Sequence, residues 1–417
     1  MLGHFSDEFN LGAVALGATV LGAVFWLMSF LRTGTTSLVG RALGANRDEA
    51  ALTHAQRAAV LALALSAVVL LIQAPVVPWL MDFLTPEGAI GAIAADYTSI
   101  RLLSTPAVLL TLVVAGWFIG AGDTKRPLIT VVVVSVINVV LDATFVAGFG
   151  WGAQGAAIAT VIAEWTGLIV ALSLWWRMAT PPLRTSVTRL RGRGLRTGWV
   201  AVMGMNRDIF LRTAVLYTVI TFVTAYGSHI SPTVLAANAI LMQLMYLASY
   251  GQDGYAAAAE SMAAREIGRR DIHGFHRAVA AATLPAFGIG AVFTVAYLLA
   301  GPGFIAVLTS LPDVTDAALA ALPWVVILPL ASAGAYLFDG IFLGSGKTSW
   351  MLGSMVASAA IFALTWQLGA NTDDPNGNLW RAFVLFNAAR GATLALAYWR
   401  VTRKHRWIPS DPTAVRA

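Results

Sequence analysis

The residues of this chain best suited to chemistry are a few polar side chains stranded among long apolar runs. Asp142 leads them. Asn138 lies one helical turn before it, on the same face. Thr160 and Glu164 lie beyond a turn near Gly150 and Trp151. At 1.5 Å per residue, Asp142 and Thr160 both sit roughly 12 Å from that turn, and Asn138 and Glu164 match one turn further on. Two polar pairs are therefore expected to face each other across one helical hairpin. A carboxylate flanked by an amide and a hydroxyl can take up a proton or hold Na⁺ through oxygen ligands, and an ionisable residue inside a membrane is costly and by default functional. The competing reading is that Asn138 and Thr160 only bind two helices together.

A second set lies in the C-terminal half. Asp253 and Glu260 are seven residues apart, hence on one helix face, and Arg390 sits mid-way along the last apolar run as a candidate partner. They read either as an ion pair that locks this half or as a second proton or substrate site. Met242, Met245 and Tyr246 offer soft sulfur and aromatic surface to an apolar cation, or simply pack. Asn206, Arg207 and Asp208 read as a helix cap and interfacial anchor.

Other chemistries are excluded. There is no cysteine, so no disulfide or thiol chemistry. The six histidines are scattered without metal-ligand spacing. Gly346-Lys347-Thr348 resembles a phosphate loop only locally, since the full glycine spacing is missing. No enzyme activity and no cofactor is expected, apart from H⁺ or Na⁺ as a coupling ion.

The elements that must position these residues are membrane spans. The 417 residues are 58% hydrophobic and only 12% charged, about half the charge of a soluble chain. Apolar runs long enough to cross about 30 Å of hydrocarbon extend over 11–43, 58–80, 97–120, 128–149 and 156–176, then 209–226, 234–264, 279–300, 317–344, 351–368 and 379–399. The predicted fold is all-α and membrane-integral, with about 11 transmembrane helices arranged five plus six. Lys and Arg gather on alternate connections, among them Arg47, Lys125, Arg184, Arg269, Lys347 and Lys404, whereas Asp82, Asp313 and Asp373 mark the others. Basic connections stay in the cytoplasm, which predicts a multi-pass plasma-membrane protein with a cytoplasmic C-terminus. This placement assigns the net charge of +6 to the lipid bilayer rather than to nucleic acid.

The chain also repeats itself. At a shift of 224 residues, Gly116, Phe118, Gly120, Gly122 and Thr124 fall on Gly340, Phe342, Gly344, Gly346 and Thr348, while Ser37, Arg41 and Gly44 fall on Ser261, Arg265 and Gly268. Asp339 meets only Ala115, so the repeat does not demand it. Residues 1–178 form an N-terminal lobe of five helices, 179–204 a basic linker with amphipathic character on the inner membrane surface, and 205–417 a C-terminal lobe of six. An even count of six per copy makes the repeats parallel, as in some transporter folds. The first lobe is thus expected to lack the first helix of a twelve-helix design.

Three segments carry a family resemblance: Phe30-Leu-Arg-Thr-Gly-Thr-Thr36, Asn138-Val-Val-Leu-Asp142 with the stretch from Gly152 to Thr160, and the stretch from Asn206 to Thr213. With the stretch from Asp253 to Glu260, they resemble the MATE family of multidrug and toxin extruders, most closely its DinF-like branch. The resemblance implies two helical lobes facing each other in a V, and export of organic, often cationic compounds in exchange for H⁺ or Na⁺. It points to the positions of Asn138, Asp142 and Thr160 as the proton or cation site. The family also carries an acidic residue on its first helix, which has no counterpart here. The expected partners are small organic cations or lipophilic compounds, handled by a monomer through alternating access. A flippase for a lipid-linked saccharide shares a similar helical plan. It would want a strongly cationic cavity, and mid-membrane basic residues are few: Arg390, with Arg101 and Arg381 nearer the outer ends. An intramembrane lipid enzyme would need clustered metal ligands or a nucleophile with its base, and neither is present in the sequence.

Overall fold

The computed structural model describes residues 8–84, 88–180, 184 and 198–408. The amphipathic reading of the basic linker falls almost entirely outside the described residues. Among the described residues the chain is helical, without strands. It divides into two units: one comprises residues 1–43 and 47–199, the other residues 44–46 and 200–417.

The N-terminal unit contains α1 (Glu8–Leu27), α2 (Phe30–Gly44), α3 (Asp48–Leu84), α4 (Gly88–Leu102), α5 (Thr105–Gly120), α6 (Lys125–Asp142) and α7 (Gly152–Met178). α1 and α2 run on as one span from Asn10 to Gly44. α4 and α5 are the two halves of a span bent by 48°, broken at Leu103 and Ser104 ahead of Pro106. The uninterrupted helix expected over 97–120 is therefore corrected to a broken one. Proline disfavours helical geometry at the residue before it and supplies no N–H.

The C-terminal unit contains α8 (Trp199–Ile230), α9 (Pro232–Arg269), α10 (Ile272–Leu308), α11 (Pro312–Ser345), α12 (Thr348–Leu368) and α13 (Pro375–Arg403). Its helix starts are set by side-chain caps. Ser231 accepts from the Val234 N–H at 3.1 Å, Asp271 from Gly274 at 2.8 Å and Asp374 from Gly377 at 2.7 Å. Nine described helices are long and apolar enough to span a membrane, or ten with the bent pair. α13 is the eleventh segment of span length; Asn387 and Arg390 near its middle make it more polar than the rest.

Each unit has its own core. Leu241, Tyr297, Trp380, Phe383 and Phe386 anchor that of the C-terminal unit; Leu21, Met81, Tyr97 and Ala157 anchor that of the N-terminal one. Leu71, Leu128, Leu284 and Val307 lie more than half exposed on helix surfaces, where hydrocarbon rather than water satisfies them. The repeat appears in the packing as well. A Cβ on Gly116 would meet the Arg32 carbonyl, and one on Gly120 the Thr36 carbonyl and Gly40 nitrogen. The equivalents are reproduced 224 residues on: Gly340 against the Ala256 carbonyl, Gly344 against the Glu260 carbonyl and the Ala264 nitrogen. Both Gly-x-x-x-Gly pairs thus bring helix backbones into direct contact.

Candidate functional site

The N-terminal unit gathers the first set of polar residues on α4, α6 and α7. Asn138 Nδ2 donates to Thr160 Oγ1 at 3.0 Å, and the Thr160 hydroxyl donates to the Ala156 carbonyl at 2.9 Å. Asp142 is half-buried, and its Oδ1 is buried with no hydrogen-bond partner. Glu164 is half-buried one turn beyond Thr160. Asn138 thus pairs with Thr160, not with Glu164, one turn off the expected register.

The reason lies just past Asp142. Residues Ala143–Gly148 form a π-helical turn, in which Phe149 N–H reaches back to the Thr144 carbonyl at 3.0 Å. A π turn uses more residues per turn and so advances less per residue. Asp142 and Asn138 therefore lie nearer the connecting turn than α-helical counting places them, which contributes to the pairing of Asn138 with Thr160. The turn is built for a sharp reversal. Gly150 and Gly152 both have positive φ, 71° and 54°, which suits glycine. Phe145, Phe149 and Trp151 stack there, with ring centroids 5.1 to 6.1 Å apart.

Arg101 is the residue of this site that sequence reasoning set aside as peripheral. It sits in the last turn of α4, directly before the helix break, and its guanidinium interacts electrostatically with both Asp142 and Glu164. Its Nε is buried without a hydrogen bond, while NH1 donates to Ser104 Oγ at 3.3 Å. Trp165, next to Glu164, donates from its indole N–H to the Leu103 carbonyl at the break, at 3.3 Å. Interrupted helices free backbone groups and gather polar side chains in transporter folds. The signal in the sequence was Ser104-Thr105-Pro106.

In the C-terminal unit the residues regroup. Arg390, expected as a partner for Asp253 and Glu260, pairs with Asp339. Its NH2 bonds Asp339 Oδ2 at 2.7 Å and its NH1 donates to Asn387 Oδ1 at 2.9 Å. Arg212 also pairs with Asp339. Arg390 and Asp339 are both buried, so one carboxylate binds two guanidinium groups from α8 and α13. Asp253 is exposed while Glu260 is buried, although they share a helix face. Asp253 lies within electrostatic reach of Tyr336, and Arg390 packs over that ring at 5.9 Å.

Beside Arg390 is a narrow pocket of about 270 Å³ lined by Met245, Ser249, Gln252, Ser332, Tyr336 and Asn387, among others. Tyr336 donates to Ser249 at 2.8 Å and Ser332 to Gln252 at 2.9 Å. Of the expected lining residues only Met245 contributes. Met242 is buried in the core, and Tyr246 is 36% exposed on the helix surface. The cap reading of Asn206, Arg207 and Asp208 is also corrected. They lie inside α8, where Asp208 is buried, pairs with Arg207 at 2.8 Å and accepts from the Thr348 hydroxyl at 3.1 Å. Among the described residues no three His, Cys, Asp or Glu side chains cluster as metal ligands.

Long apolar helices in two helical units, with a carboxylate set among amide, hydroxyl and guanidinium groups in one of them, define a multi-pass membrane protein with a buried polar site. A MatE family model matches residues 1–144 and 209–366. The chain is 35% identical to DNA damage-inducible protein F of Escherichia coli (strain K12) over 98% of its own length and 88% of that protein's. It belongs to the MatE family. It is also 26% identical to the probable multidrug resistance protein NorM of Bacillus cereus, over 59% of this chain and 55% of that one. Its fold matches the outward-facing conformation of a multidrug resistance MATE family transporter of the MOP superfamily. There the TM-score is 0.82 at 19% identity, covering 96% of this chain and 90% of the other.

Proposed function

We propose that this chain is a secondary antiporter that exports organic, chiefly cationic compounds in exchange for protons, with Asp142 as the proton-carrying group. The observation that carries this reading is the Asp142 carboxylate. One of its oxygens is buried without a hydrogen bond, at the entry to a π turn, one helical turn from the Asn138–Thr160 pair. Such an oxygen can take up a proton and give it back. A π turn is a local distortion that an adjoining charge change can relax, and such turns recur at functional sites.

Protonation from the outer side discharges Asp142, alters its interaction with Arg101 and biases the N-terminal unit toward releasing substrate. Proton loss to the cytoplasm resets it. Asn138 and Thr160 act as positioning residues that fix the α6–α7 register. The chain works as a monomer in the plasma membrane with its C-terminus in the cytoplasm, a placement supported by the alternation of basic connections.

The test is dye efflux in everted vesicles under separately imposed proton and sodium gradients. Proton-driven efflux by the unmodified chain should be abolished in Asp142→Asn at equal expression. Full efflux by that variant removes Asp142 from the role, and efflux driven by sodium alone replaces the proton with Na⁺. Asn138→Ala should slow efflux with little loss of stability, since interhelical hydrogen bonds in membranes average about 0.6 kcal/mol.

A further inference from the structure

A second pocket of the C-terminal unit lies at the ends of its helices. It has about 820 Å³ of empty space and is lined by Lys347, Trp350, Arg400, Val401, Lys404 and Arg406. Four of these six side chains are cationic and none is acidic. We propose that this pocket binds the phosphate-bearing headgroup of an anionic lipid at the membrane surface. The assignment is independent of what the protein transports.

Three features separate this pocket from a merely basic connection. The first is that its cations stand on fixed backbone. Lys347 follows Gly346, which has φ of 74° and closes α11. Gly346 N–H bonds Leu343 and Lys347 N–H bonds Phe342, both at 3.0 Å. That is a Schellman turn. The end of α13 repeats it: His405 N–H bonds Thr402 at 3.0 Å and Arg406 N–H bonds Val401 at 3.1 Å. Here the left-handed residue is His405, with φ of 50°, a conformation that costs a non-glycine residue about 1–2 kcal/mol. A strained turn persists only where its surroundings hold it.

The second feature is what holds that turn. Trp407 is 1% exposed, packed against Phe275, Phe342 and Tyr398 at ring distances of 4.8, 5.4 and 5.3 Å. Its indole N–H donates to Thr402 at 2.8 Å. This anchor folds Lys404 and Arg406 back toward Lys347 and Arg400. Arg400, Lys404 and Arg406 thus share one cavity with Lys347, and a negative charge entering it relieves the repulsion among those three.

The third feature is position. The pocket lies where α11 and α13 end and α12 begins, the end of the unit that the basic connections share. Beside it, Trp350 and Trp399 are 42% and 48% exposed, as tryptophans at a membrane–water boundary are. Arg403 lies over the Trp399 ring at 4.0 Å, outside the lining. Exposed Val356 and Leu396 continue the apolar surface along α12 and α13, where acyl chains can lie. A soluble phosphate would need no such flank. Basic pockets at the cytoplasmic ends of membrane helices suit anionic headgroups, at about one fivefold step in affinity per Lys or Arg.

The experiment is native mass spectrometry of the full chain in detergent, titrated with phosphatidylglycerol, phosphatidylcholine or inorganic phosphate. The unmodified chain should retain one phosphatidylglycerol in preference to phosphatidylcholine. Lys404→Gln with Arg406→Gln should weaken that binding at least tenfold, and Lys347→Gln alone about fivefold. Arg403→Gln should change it less than twofold. Equal binding of the two lipids, or unchanged binding in the double variant, overturns the proposal. So does an equal loss in Arg403→Gln, which would reduce the effect to general surface charge. Millimolar phosphate that displaces the lipid from the unmodified chain would make this a soluble-phosphate site and overturn the lipid assignment.

Discussion

The repeated glycines permit a quantitative test of how each unit is held together. Replacing Gly340 by alanine places a methyl against the Ala256 carbonyl on α9. Backbone cannot rotate away, so α9 and α11 must separate. The same exchange at Gly353 on α12 meets nothing within 4 Å. Both substitutions gain the same helix propensity, about 1 kcal/mol, so their difference isolates the overpacking. That term is about 1–3 kcal/mol. For a unit of about 200 residues, each kcal/mol moves the midpoint by roughly 2–4 °C, so Gly340→Ala should melt about 2–12 °C below Gly353→Ala. Gly116→Ala, against the Arg32 carbonyl, should behave like Gly340→Ala. Thermal unfolding in detergent, followed by the loss of the monodisperse peak, reads all three. Identical midpoints for Gly340→Ala and Gly353→Ala would refute backbone contact at the repeated glycines.

Two further outcomes are expected. Asp339→Ala strands the buried guanidinium of Arg390 together with that of Arg212 and should destabilise the C-terminal unit by about 3–5 kcal/mol, whereas Asp339→Leu with both Arg390→Met and Arg212→Met should recover much of the loss; thermal unfolding of the single and triple variants checks both. Asp271, in the α9–α10 connection, has its carboxyl held below the usual range, first by the Gly274 N–H and then by Arg277. Its folded value is depressed, so its stabilisation is present above about pH 3.9 and lost as pH falls through the lower folded value. The acid limb of an unfolding profile should therefore flatten in Asp271→Asn, which cannot titrate.

Much of the membrane architecture was legible because hydrocarbon imposes simple demands. Apolar length located the spans, and alternating basic connections ordered them. Gly116 and Gly340 predicted their own packing because a shared offset in sequence became a shared contact in space. Counting residues from a Gly-rich turn put Asn138 and Thr160 on one hairpin but set Asn138 level with Glu164, whereas it bonds Thr160. The count slipped by one helical turn at Asp142, since nothing in Ala143-Thr-Phe-Val-Ala-Gly148 distinguishes a π turn from an α turn by periodicity. The break beside Arg101 was visible only as Pro106, which fits a continuous kinked helix equally well. Asp339 was passed over because its repeat counterpart is Ala115; its partners Arg212 and Arg390 lie 127 and 51 residues away, and such pairing is a property of the folded bundle. Asp253 and Glu260 obeyed the seven-residue rule but met different surroundings, because a helix as long as α9 passes from an exposed to a buried environment along one face.

The central claim is that Asp142 carries the coupling proton, and proton release on substrate uptake tests it most directly. The purified chain would be reconstituted in proteoliposomes enclosing a pH-sensitive dye, and an organic cation added without any imposed gradient. The unmodified chain should move protons opposite to the cation, and Asp142→Asn should move none while still binding it. Proton movement of equal size in the variant, or cation transport with no proton movement in the unmodified chain, would contradict the assignment.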